Sequence, residues 1–169
     1  MKNFLYGVIV VLLFSSFPNF TNAEEIVDSA PSPVYSEPAF TEFQPIENKS
    51  HEEFTTFGLT FASGTVSCYV IGSDSFCPWT IQVGGDVIIR SDVQVIFEKH
   101  HGFLSGGWKH YKTRDQKYPV NIATSTIRGE VSERLAPGKY RVKLGGTFIT
   151  RKNGVYAPVA HGWSYFEIK

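Results

Sequence analysis

Alternation with a period of two, broken by turn residues roughly every ten positions, governs most of this 169-residue chain and leaves it few folds to choose from. Val93, Val95 and Phe97 alternate with Asp92, Gln94 and Glu98, Tyr140, Val142 and Leu144 alternate with Arg141 and Lys143, and Phe57, Leu59 and Phe61 repeat the pattern. Gly84-Gly85, Gly106-Gly107, Pro137-Gly138, Gly145-Gly146 and Asn153-Gly154 punctuate these runs as turns or bulges. Asn153-Gly154, between the runs 147–151 and 155–160, is the strongest local hairpin signal. No stretch of the domain carries a convincing helical period. The expectation is all-β: roughly seven to nine short strands forming a single antiparallel β-sandwich over residues 54–169, a length sufficient for one ordinary core.

The amino-terminal third is of another kind. Met1-Lys2-Asn3 gives a short basic start, Phe4 to Phe17 is nearly continuous apolar sequence, Pro18 breaks any helix, and Thr21-Asn22-Ala23 ends on a small residue. That arrangement predicts a signal peptide over residues 1–23 and a secreted, extracellular product; the apolar run is short for a membrane span, so no stable membrane insertion is expected after cleavage. Residues 24–53 carry Glu24, Glu25, Asp28, Glu37, Glu42, Glu47, Glu52 and Glu53 against Lys49 alone, together with four prolines. Such a stretch reads as a disordered acidic linker. Whether it is a spacer, an arm that folds back on the basic domain, or a removed pro-segment stays open. Residues 54–169 hold fourteen Lys and Arg against eight Asp and Glu, so the overall neutrality conceals two parts of opposite sign.

Export changes how the two cysteines read, because disulfides persist outside the cytosol. In Val66-Ser67-Cys68-Tyr69-Val70 and Cys77-Pro78-Trp79-Thr80-Ile81, alternation puts each cysteine on an apolar face. A two-residue turn at Gly72-Ser73 places Cys68 opposite Cys77, and glycine at its first central position suits a tight hairpin. A structural disulfide follows. The spacing matches neither a Cys-x-x-Cys redox motif nor a zinc knuckle. Pro78 suggests that its strand lies at a sheet edge, since proline cannot donate to a ladder.

The order Val93-Gln94-Val95-Ile96-Phe97-Glu98-Lys99, glycine-rich turn, Gly107-Trp108-Lys109, polar strand, then Ala136-Pro137-Gly138-Lys139-Tyr140-Arg141-Val142-Lys143 resembles the second half of an immunoglobulin-like or fibronectin type III-like sandwich of small secreted bacterial proteins. The resemblance covers about residues 90–169, with Ser164 to Ile168 as the last strand. It implies a fold and an extracellular setting, and no activity. The long-spaced cysteine pair of antibody-type domains is missing.

No Gly-x-Ser-x-Gly elbow, His-Glu-x-x-His, Ser-x-x-Lys or phosphate-cradling loop occurs, and the sequence implies neither enzyme nor cofactor. His100-His101 and His110 flank the Gly106-Gly107 turn and could meet across a hairpin, but no carboxylate partner accompanies them, so no metal is assigned. The richest surface candidate runs from Lys99 to Lys117. There Trp108, Lys109, His110, Tyr111, Lys112 and Arg114 interleave rings and cations as residues gripping an anionic polymer or a sugar would. By alternation Trp108 and His110 share one strand face, Lys109 and Tyr111 the other. Two functions stand open. One is a secreted, non-enzymatic binding or structural module for an anionic cell-wall polymer, polysaccharide or another extracellular protein, export arguing against nucleic acid. The other is a secreted effector, a hydrolase or toxin-like factor, with a site built from dispersed residues.

Overall fold

A computed structural model of the chain describes residues 32–46 and 61–169, with the side chains of Phe103 and of residues 118–122 left aside. The expected signal peptide, most of the expected arm and the Phe57-Leu59 run lie outside the described residues. What is described is all-β and antiparallel. The strands are β1 (Val34–Tyr35), β2 (Ala39–Pro45), β3 (Ala62–Val66), β4 (Tyr69–Ile71), β5 (Asp74–Val83), β6 (Ile88–His100), β7 (Trp108–Thr124), β8 (Thr126–Arg134), β9 (Gly138–Thr150), β10 (Gly154–His161) and β11 (Ser164–Ile168), with one 3-10 turn at Phe103–Ser105.

Hydrogen-bonded neighbours run in the order β1-β4-β5-β3-β2-β10-β9-β6-β7, with β8 on the other edge of β5 and β11 beside β9. Period-two patterning sets which face each strand buries: Cys77, Trp79, Ile81 and Val83 of β5, Val93, Val95 and Phe97 of β6, and Tyr140, Val142 and Leu144 of β9 all enter one core. β3 also meets β9 across that core, although two strands separate them along the ladder.

Residues 32–46 correct the expected arm. β2 lies between β3 and β10, paired to both, and its alternate residues Ala39, Thr41 and Phe43 are buried; the Phe43 ring meets Phe148 edge-on at 5.2 Å. The acidic side chain of Glu42 falls on the opposite face, where water solvates it. Charge and proline content hid a central strand, and the folded unit begins before residue 54.

Pro78 is a second correction. β5 is flanked on both edges, by β3 and β4 on one and β8 on the other. Ser67 N donates to Pro78 O at 3.3 Å, and proline has no N–H to return. The ladder therefore breaks there, which divides β3 from β4 in what is otherwise one strand in one register. The hairpin turn at Gly72-Ser73 forms as expected, and Cys68 and Cys77 are disulfide-bonded with Cα atoms 4.1 Å apart, the narrow separation of opposed residues that exchange no hydrogen bonds.

Gly145-Gly146, expected as a turn or bulge, lies inside β9 instead. One edge of β9 pairs β6 over 140–150; the other pairs β11 over 138–142 and β10 over 148–150. Gly146, with φ +85°, sits in the stretch where the partner changes, and a Cβ there would lie 2.1 Å from Asp92 O. Only glycine fits.

Candidate functional site

β11, β9, β6 and β7 lie side by side, and their outward residues form rows. Tyr165, Arg141, Glu98 and His110 occupy one row, strand by strand. The alternation that buries Tyr140, Val142 and Leu144 turns Arg141 and Lys143 outward. Glu98 Oε2 accepts from Arg141 Nε at 2.8 Å and from Nη2 at 2.6 Å, which fixes the plane of the guanidinium. Its Cζ then lies 4.8 Å from the Trp108 ring centre and 3.9 Å from that of Trp163. A cation held against two indoles gains from both ring quadrupoles.

The cluster extends on both sides. Tyr165 and His100 each meet Trp108 edge-on, at 5.6 and 5.0 Å. Lys143 Nζ stands 4.6 Å from the Trp163 ring centre, and among the described residues no carboxylate pairs with it. His161 lies beyond, at the end of β10. Burial and the Lys143 charge push its pKa below the usual imidazole range, partly opposed by a backbone hydrogen bond at Leu144. The imidazole is therefore neutral at physiological pH. The result is a patch of rings and cations on a continuous sheet face, with Lys143 as a cation able to meet an anion.

The six binding candidates from the sequence do not converge. Trp108 and His110 join this face, His110 through its place opposite Glu98 and a 3.0 Å hydrogen bond between Nε2 and Thr113 Oγ1. Lys112 lies opposite Phe97 and Arg114 opposite Val95, so both leave β7 on the core side. There Lys112 Nζ reaches Glu133 Oε2 of β8 at 2.9 Å and Arg114 Nε pairs with Oε1 of the same carboxylate. The Glu133 side chain is 5% exposed and needs those cations. Lys112 and Arg114 tie β7 to β8. Tyr111 packs edge-on against the buried Tyr140 at 5.5 Å, and Lys109 sits at the hairpin end opposite Lys99.

The histidines do not gather either. His100 Nδ1 accepts from Gly102 N at 3.2 Å and the ring packs on Trp108, while His110 faces Glu98. Among the described residues no group of three His, Cys, Asp or Glu side chains is placed to hold a metal ion.

Arg141, Lys143, Trp163, Tyr165 and Glu98 are the residues sequence reasoning passed over. Their signal was present: Arg141 and Lys143 are the outward members of an alternation already read, and Trp163 and Tyr165 stand two apart at the last strand. No protein-family model matches this sequence, and no curated protein is significantly similar to it.

Proposed function

We propose that this chain is a secreted, non-enzymatic binding module that contacts an anionic, repetitive extracellular polymer through the outward face of β11, β9, β6 and β7. The single observation that carries the reading is the Trp108, Arg141, Trp163 stack with Lys143 beside it. Rings offer faces to the apolar side of a sugar, and Lys143, which no carboxylate among the described residues pairs, offers a contact to its acidic group. The closed disulfide supports an oxidising setting, and the meeting of β3 with β9 across the core supports an immunoglobulin-like two-layer sandwich as the scaffold.

The test is binding of residues 24–169 to polygalacturonate and to neutral dextran across a salt series, with Trp163→Ala and Lys143→Glu variants. The expected result is binding to the acidic polymer alone, weakening as salt rises, with a loss of roughly tenfold in each variant. Equal binding of the neutral polymer, or variants indistinguishable from the parent, would overturn it.

A further inference from the structure

The hairpin that joins β6 to β7 ends in a tip unlike the rest of the surface. Leu104 is 99% exposed, the most exposed of the large apolar side chains described. Isolated apolar side chains are ordinary on protein surfaces, but this one stands at the apex of a tightly closed turn. His101 N donates to Gly107 O at 2.8 Å, Gly107 N to Gly102 O at 3.0 Å, and Ser105 N to Gly102 O at 3.3 Å. Gly102 N is taken by His100 Nδ1 at 3.2 Å. Gly102, Gly106 and Gly107 take φ of 83°, 89° and 68°, values that let so short a segment close on itself.

Two consequences follow. The turn holds Leu104 away from the domain, so among the described residues no apolar surface covers the side chain. Several of the tip's backbone N–H groups are already bonded within the turn, which lowers the cost of moving it into a less polar medium.

Charge says what that medium is. From Lys99 to Arg114 the chain contains no Asp or Glu. The Lys109 side chain lies along Gly106, beside the tip. Lys99 stands at the base, its Nζ donating to Pro137 O at 3.2 Å and lying 5.2 Å from the Tyr140 ring centre. Trp108, the first residue of β7, gives an amphipathic ring at the same level. An apolar point with cations and an indole one layer behind matches the vertical order of a bilayer surface: acyl boundary, then phosphate.

We infer that the β6–β7 tip docks on an anionic lipid bilayer, with Leu104 entering the headgroup boundary and Lys109 meeting lipid phosphates. This contact uses the hairpin tip and shares only Trp108 with the outward sheet face proposed to bind polymer. The experiment is co-sedimentation of residues 24–169 with vesicles of phosphatidylcholine alone and of phosphatidylcholine mixed with phosphatidylglycerol, comparing the parent with Leu104→Asp and Lys109→Glu. Leu104 projects from the tip and Lys109 is exposed beside it, so the variants keep the fold, which circular dichroism verifies. The parent is expected to partition onto the mixed vesicles, Leu104→Asp to lose roughly tenfold or more, and Lys109→Glu to lose roughly fivefold. Absence of binding by the parent, equal binding to vesicles of phosphatidylcholine alone, or a Leu104→Asp variant that binds as well as the parent each overturns the inference. Lys143→Glu separates the two proposals, because it is expected to impair polymer binding and leave vesicle binding intact.

Discussion

Asp86, between β5 and β6, is nearly buried and collects donors from a turn far away in sequence. Val87 N reaches Oδ1 at 2.7 Å, and Lys152 N, Asn153 N and Asn153 Nδ2 reach Oδ2 at 3.1, 3.1 and 2.9 Å. Burial alone would raise its pKa, but the hydrogen bonds from the Thr150 hydroxyl and the Val87, Lys152 and Asn153 amides outweigh it and hold the carboxyl below its ordinary 3.8. A carboxyl depressed by folding stabilises the fold fully above its unfolded pKa, and that contribution fades as pH falls through the folded one. Asp86→Ala is expected to cost about 3 kcal/mol at neutral pH. It should also flatten the acid limb of stability below about pH 4, as read by urea unfolding across a pH series. None of this was legible beforehand, since Asp86 stood in the sequence as one scattered acid among eight. Lys152 and Asn153 lie 66 and 67 residues away, and only the pairing of β9 with β6 brings them near.

Strands show the same division between what is local and what is not. Facing was readable wherever one side of a strand meets the core, because a period of two leaves no freedom: Val93, Val95, Phe97, Tyr140, Val142 and Leu144 are all buried. The disulfide hairpin and the hairpin signalled by Asn153-Gly154, whose turn is residues 151–153, were readable for the same reason, since hairpin register depends on a few adjacent residues. Partner choice was not. Pro78 reads as an edge residue, yet β5 is central and tolerates it by a local break in the ladder. Gly146 reads as a turn or a bulge, and it marks the stretch of β9 that changes partner. Gly146→Ala is therefore expected to destabilise by more than about 3 kcal/mol, whereas Gly72→Ala, with open space around its Cβ, should cost roughly 1 kcal/mol through its positive φ alone. Thermal unfolding of the two variants side by side measures the difference.

At the scale of the whole molecule, the misplaced boundary matters most. Eight acids and four prolines gave residues 24–53 the composition of a solvated arm, but a strand with one wet face carries an acid such as Glu42 as readily as a linker does, and only alternate residues Ala39, Thr41 and Phe43 reveal the buried side. A fragment of residues 54–169 would lack β2 and leave β3 and β10 without the strand between them. It is expected to lose cooperative unfolding and near-UV ellipticity, while residues 24–169 keep both. The candidate face was half legible: Trp108 and His110 were singled out, but the grouping of β11, β9 and β6 that sets Arg141, Lys143 and Trp163 beside them comes from non-local pairing. Lys112 and Arg114 looked free only because the path of β8 back to β7 could not be seen. The most direct test of the binding account is a nuclear magnetic resonance titration of isotope-labelled protein, residues 24–169, with an acidic oligogalacturonide, following backbone amides and indole N–H groups. The account predicts that perturbations concentrate on Trp108, Trp163, Arg141, Lys143 and Tyr165; perturbations centred instead on the Tyr35, Tyr69 and Phe76 rings of β1, β4 and β5, or none at saturating ligand, would contradict it.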